Sequence, residues 1–206
     1  MDLPDSLPGR MYLLAYDTGR RRMTAWLQLG YVLRAAALTD LLQCAVLTDD
    51  SGKARLRPGA VVGDPVLDAV CQQIAGSRPR TWRHWVGRRD GAMKRAVRDQ
   101  LAAAGWIRVE PRRILGISAP KVTVRDTRAV KRLTSMVSAA LRSPVDRVDP
   151  RDAALVALAA SGDLKTALPR ATRRRHKERI ARLSEQTGPI AKALRNVIRQ
   201  AQAAAS

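Results

Sequence analysis

Three groups of residues in this 206-residue chain could do chemistry. The first is Arg34. It lies in residues 23–43, an apolar segment whose only charges are Arg34 and Asp40. A guanidinium there is costly unless it is paired or reaches a pocket. Two readings stand: an internal ion pair with Asp40 or Asp68, or a grip on an anionic ligand. The second group is the stretch 78–98, where Arg78, Arg80, Arg83, Arg88, Arg89, Lys94, Arg95 and Arg98 face one acid, Asp90. Trp82 and Trp85 are interleaved with them. Guanidinium forks grip phosphate oxygens, and tryptophan supplies a flat, partly wet contact. Trp85 itself reads as a core residue, whereas Lys94, Arg95 and Arg98 form the face suited to an anion.

The third group is Arg112, Arg113, Ile114, Leu115, Gly116, Ile117 and Lys121, apolar residues beside basic ones at a loop. Exposed, the aliphatic side chains would enter a bilayer while the charges meet acidic headgroups. Each fully buried one contributes about 1.5–3 kcal/mol at most. Each basic neighbour adds about 1 kcal/mol at an acidic leaflet. The alternative is a hairpin packed on its own core.

Signs of catalysis are weak. His84 and His176 lie among basic residues, with no acid at a spacing that suggests a triad. No HExxH, P-loop or nucleophile elbow occurs. Asp49/Asp50 reads as a turn and Asp64/Asp68 as a helix start. We expect no enzyme activity, no catalytic residue, no metal and no cofactor.

Charge points to a partner. The chain carries 38 basic and 18 acidic residues, a net charge of +20. Residues 1–77 hold 8 of each, so the whole surplus lies after residue 77. A surplus confined to one part suggests nucleic acid or an acidic membrane surface. No apolar run is long enough to span a membrane. The opening MDLPDSLPGR, with acids and prolines, does not read as a signal peptide. Cys44 and Cys71 read as reduced core residues of a cytoplasmic protein.

The elements that must position these residues are mainly helices with short strand pairs. Pro8 opens a helix through Tyr16, and Asp17-Thr18-Gly19 is a turn. Residues 23–43 form a central buried helix, with Leu27, Tyr31, Leu38 and Leu42 on one stripe and Trp26 beside it. Ala45–Thr48 and Ala54–Arg57 flank a hairpin turn. Asp64-Pro65 starts a helix that ends near Ala75. Thr81–Val86 is a short helix, and Ala92–Ala104 is a longer one stopped by Gly105. Trp106–Glu110 and Arg113–Ile117 form a second hairpin, or strands around a long loop. Further helices cover Thr127–Leu141, Ala153–Ala160, Arg170–Leu183 and the segment after Pro189. The expected fold class is mainly α: a single compact domain over residues 1–206.

Several motifs carry a family resemblance when read in order. They are Leu7-Pro8…Tyr12-Leu13-Leu14-Ala15-Tyr16-Asp17…Gly19, Val32-Leu33-Arg34-Ala35-Ala36-Ala37-Leu38-Thr39-Asp40-Leu41, and Gly63-Asp64-Pro65-Val66-Leu67-Asp68. Trp85, Leu101…Gly105-Trp106-Ile107 and Ala154-Leu155-Val156-Ala157-Leu158 follow. In this the chain resembles the Golgi phosphoprotein 3 family, especially its shorter bacterial members. The resemblance implies a central helical bundle wrapped by amphipathic helices, with a protruding β-hairpin. It implies a peripheral membrane protein whose pocket of one tryptophan and several basic residues binds phosphatidylinositol 4-phosphate, while the hairpin tip enters the bilayer. Arg34 matches the pocket arginine. Trp26 is the candidate pocket tryptophan, one residue closer to it than the family spacing. Lys94 matches one of two basic residues on the following helix. The other falls on Gly91, for which Arg88 or Arg95 would compensate. Ile114, Leu115 and Ile117 fall in the inserting hairpin.

The expected function is therefore recognition of an acidic phospholipid headgroup by Trp26, Arg34, Lys94, Arg95 and Arg88, with membrane insertion by Ile114, Leu115 and Ile117. The expected place is the cytoplasm, peripheral to the inner face of a membrane. Cytoplasmic tails of membrane enzymes are further partners that the resemblance implies. The alternatives are a DNA-binding protein of winged-helix type, with residues 92–124 as helix and wing, and an adaptor for protein tails.

Overall fold

Polar caps set where several helices begin. The computed structural model describes residues 3–60, 62–88, 90–111, 113–114, 117–118 and 120–204. Ser6 caps α1, Leu7–Leu14, by accepting from the Gly9 N–H. Asp64 accepts from the Val66 and Leu67 N–H groups and starts α3, Pro65–Ala75, with proline at the first helical position. Thr81, Asp126 and Asp149 do the same for α4, Trp82–Val86, α6, Thr127–Ala140, and α7, Pro150–Ser161. Between these lie α2, Trp26–Gln43, and α5, Asp90–Ala103. The chain ends in α8, Arg170–Arg175, α9, Lys177–Glu185, and α10, Ile190–Ala203.

The fold is mainly α, as expected. Helix α2 is its axis, touching α1, α3, α4, α5, α7 and α10. From Leu29 to Leu41 all its residues but Tyr31 are buried, so neighbours pack on every side. One apolar core runs from Leu7 to Ile198. The fit is close where α7 ends: a Cβ on Gly162 would stand 2.4 Å from Val32 Cγ2. Buried Asp40 accepts from the Leu7 N–H and from Arg151 Nη2, each at 2.7 Å, tying α1, α2 and α7 together. Among the described residues, no helix is long and apolar enough to cross a membrane.

The strands are short. Strands β1, Tyr16–Asp17, and β2, Arg22–Met23, form a small hairpin where the sequence suggested a helix end and a turn. The Thr24 N–H and hydroxyl both donate to the Ala15 carbonyl, which holds that hairpin against the end of α1. Strands β3, Leu47–Asp50, and β4, Lys53–Leu56, pair as expected, and β5, Arg80–Thr81, joins them. The second hairpin differs from the expected pairing of 106–110 with 113–117. Strand β6, Ile107–Glu110, pairs with β9, Lys121–Val124, and two tip strands, β7, Arg113–Ile114, and β8, Ile117–Ser118, pair beyond them.

Three more expectations need correction. The basic segment 170–183 is two helices meeting at His176. Helix α8 buries none of its residues, whereas α9 buries Ile180, Leu183 and Ser184, so the break turns an apolar stripe onto α7. Cys44 is exposed at the end of α2, and only Cys71 is buried. The first turn of α2 is not core: Trp26 is 43 % and Leu27 86 % exposed.

Candidate tryptophan–cation site

Helix α2 places Trp26, Gly30 and Arg34 at four-residue intervals, and hence on one face. Trp26 and Arg34 stand about 12 Å apart along the axis at 1.5 Å per residue. Each belongs to a pair of the same kind, a cation that binds both the carbonyl and the ring of one tryptophan.

At the buried pair, Arg34 is 2 % exposed. Its Nε donates to the Trp85 carbonyl at 3.1 Å and its Nη2 to Gln73 Oε1 at 2.8 Å. Its guanidinium carbon lies 5.9 Å from the Trp85 ring centre, and that of Arg88 lies 5.6 Å from the same centre. Both are within the range of cation–π attraction. Asp40, one of the two ion-pair partners considered for Arg34, is taken by Arg151. Trp85 is a core residue, as the sequence suggested.

A cleft of about 540 Å³ opens beside this pair, lined in part by Tyr31, Arg83, His84 and Arg88. Arg83 and Arg88 in its lining, with no acid among the lining residues, make the cleft positive, and Arg80 adds its charge at His84. Burial, and then Arg80, Arg88 and Arg34, push the His84 pKa below its ordinary value. Arg88 Nη1 stands 3.5 Å from His84 Nε2.

At the exposed pair, Lys94 Nζ donates to the Trp26 carbonyl at 3.2 Å and lies 5.1 Å from the Trp26 ring centre. A shallow cavity of about 360 Å³ is lined by Thr24, Ala25, Trp26, Leu27, Gln28, Asp163 and Lys165. Ala25, which precedes α2, has φ 52° in the left-handed region and gives no side-chain cap. Such a conformation costs about 1–2 kcal/mol for a residue with a Cβ. On α5, Arg95 Nη1 lies 3.8 Å from where a Cβ on Gly91 would stand, so a cation covers that glycine.

The expected site residues thus fall into two sets. Arg34 and Arg88 meet over Trp85, while Lys94 meets Trp26, with Arg95 one residue further along α5. Ile114 and Ile117 lie in the paired tip strands. Leu115 lies outside the described residues. Sequence reasoning missed the ring of Trp85 as a platform for two cations. The spacing of Trp85 and Arg88, three apart, was the available signal.

A family model described as Golgi phosphoprotein 3 (GPP34) matches residues 7–201. The chain belongs to that family. Among curated proteins none matches it. For a Golgi phosphoprotein 3 family chain, the fold described above places Arg34 and Lys94 on different tryptophans.

Proposed function

We propose that this protein is a non-enzymatic peripheral membrane module that binds the headgroup of an acidic phospholipid, of phosphatidylinositol 4-phosphate type. The observation that carries this reading is Lys94 over the exposed Trp26 ring, with Arg95 one residue along the same helix. An ammonium beside an indole offers an anionic headgroup a charge partner and an amphipathic wall at once. Arg88, in the positive cleft beside Trp85, adds a second cationic contact. Arg34 acts from inside by holding Trp85 in place. Family membership supports the reading, as does the surplus of basic residues after residue 77.

In the same reading the β6–β9 hairpin brings Ile114 and Ile117 to the bilayer. The site of action is the cytoplasmic face of a membrane, and tails of membrane enzymes are the protein partners. Sedimentation with vesicles tests the headgroup contact. Vesicles of phosphatidylcholine alone, with phosphatidylglycerol, and with phosphatidylinositol 4-phosphate separate general charge from headgroup recognition. The Lys94→Ala, Arg95→Ala double variant should bind acidic vesicles more weakly by about 2 kcal/mol, near thirtyfold, at about 1 kcal/mol per cation. Equal binding by the variant and the parent chain sinks the proposal.

A further inference from the structure

We infer that Trp26 and Leu27 form a second membrane wedge, separate from the β-hairpin, which enters the acyl region of an acidic bilayer. This rests on the membrane reading above and adds the surface that makes contact. Among the described residues, Trp26 and Leu27 are the exposed large hydrophobic side chains, and they are adjacent in the chain. A single exposed leucine is ordinary on a protein surface. An adjacent pair in which Leu27 is 86 % exposed, at the tip of an otherwise buried helix, is not a packing by-product. Ala25, just before this turn, has a left-handed φ of 52°, and such strain at a non-glycine residue collects at functional positions.

The charges around the pair select the occupant. Lys94 lies over the Trp26 ring, and Lys165 lines the same shallow cavity as Trp26 and Leu27. The one acid in that lining, Asp163, is held by Arg173 at 2.6 Å and by Lys165 at 3.8 Å. Upstream, Arg20, Arg21 and Arg22 are all exposed, and Arg22 is four residues from Trp26. An apolar tip among cations matches an anionic leaflet, with tryptophan at headgroup depth, lysines on the phosphates and leucine below. A second copy of this chain would bring the same positive charge against it. An apolar protein groove would bring no anion to this positive surround.

Fluorescence tests the wedge in the unmodified chain. Trp82, Trp85 and Trp106 are buried, so a change of environment on vesicle binding reports Trp26. Vesicles containing phosphatidylglycerol and phosphatidylcholine brominated on the acyl chains should quench the bound protein, and Trp26→Phe should remove the quenching. Leu27→Asp should weaken sedimentation about tenfold or more, as expected for losing a buried aliphatic side chain. Its thermal midpoint should barely move, because Leu27 is almost fully exposed. If the parent chain sediments with acidic vesicles but bromine leaves its emission unchanged, the wedge is wrong and the headgroup reading stands. The wedge also fails if Leu27→Asp binds as the parent does. If the parent chain binds no acidic vesicle, both readings fall. Retention by an acidic protein in place of vesicles overturns the wedge too.

Discussion

Arg34 holds Trp85 in two ways, by a hydrogen bond from Nε to its carbonyl and by a guanidinium 5.9 Å from the centre of its ring. Truncating Arg34 leaves the Trp85 carbonyl only the longer bond from the Arg88 N–H, at 3.4 Å, and takes a charged donor from Gln73 Oε1, at about 1–3 kcal/mol in all. Arg34→Ala should therefore lower the midpoint of urea unfolding. Arg34→Lys should recover little, because one ammonium cannot reproduce the planar fork. A midpoint unchanged in Arg34→Ala contradicts this.

Asp40 and Arg151 predict an asymmetry. Removing Arg151 leaves a buried carboxylate with only the Leu7 N–H and the more distant charge of Arg10. Arg151→Ala should cost about 3 kcal/mol, the lower end for breaking a buried pair. Asp40→Ala leaves one N–H without its acceptor and a cation that reaches water, so it should cost less, about 1–3 kcal/mol. Denaturant melts of the two variants decide the order.

Gly162 tests the packing of α7 on α2. An added Cβ would meet Val32 Cγ2 at 2.4 Å and the Leu158 carbonyl at 3.0 Å. Gly162→Ala should destabilise by about 1–3 kcal/mol, the cost of overpacking. The double variant Gly162→Ala, Val32→Ala should recover part of that loss in the same melt.

His84 gives a pH signature. Its depressed pKa, caused first by burial and then by Arg80, Arg88 and Arg34, leaves it neutral at pH 7. As pH falls through the ordinary histidine value of 6.5, the unfolded chain takes up the proton first. The His84 contribution to stability is therefore present above that value and declines as pH falls toward the folded-state pKa. Proton resonances of the His84 ring should titrate below 6.5. An inositol phosphate bound in the cleft should raise that midpoint, because an added anion favours the imidazolium.

Salt separates charge attraction from insertion. Sedimentation with phosphatidylglycerol vesicles should weaken as salt rises, since exposed cations are screened within about 10 Å at 0.1 M. The residual binding at high salt should be weaker in Leu27→Asp than in the parent chain, because burial of an apolar side chain is not screened.

Local chemistry was the readable part of this sequence. Asp64 before Pro65 set the start of α3, and Asp126 and Asp149 the starts of α6 and α7, because each cap and its N–H groups lie within three residues. The likeness to the family brought Trp26 and Lys94 into one site, and the structure puts them in contact. What was left open or misplaced depended on distant or neutral partners. Arg34 is satisfied in part by a carbonyl and an amide, neither of which leaves a charge signature in the sequence. The partner of β6 lies fourteen residues on, at Lys121–Val124, and proximity favoured the nearer segment. Apolar periodicity assigned Leu27 to the core, since it records side-chain character and not where the supporting helices stop.

The Asp40 tie has a consequence for how the chain folds. Its two partners lie 33 and 111 residues away, on opposite sides of it in the chain. No contiguous fragment that lacks α1 or α7 can satisfy the carboxylate, so α2 reaches its final burial only after both of those helices have docked. Such long-range closure slows folding relative to a simple helical bundle. Pulse-labelled amide exchange should show α2 gaining full protection together with α1 and α7, and late in refolding.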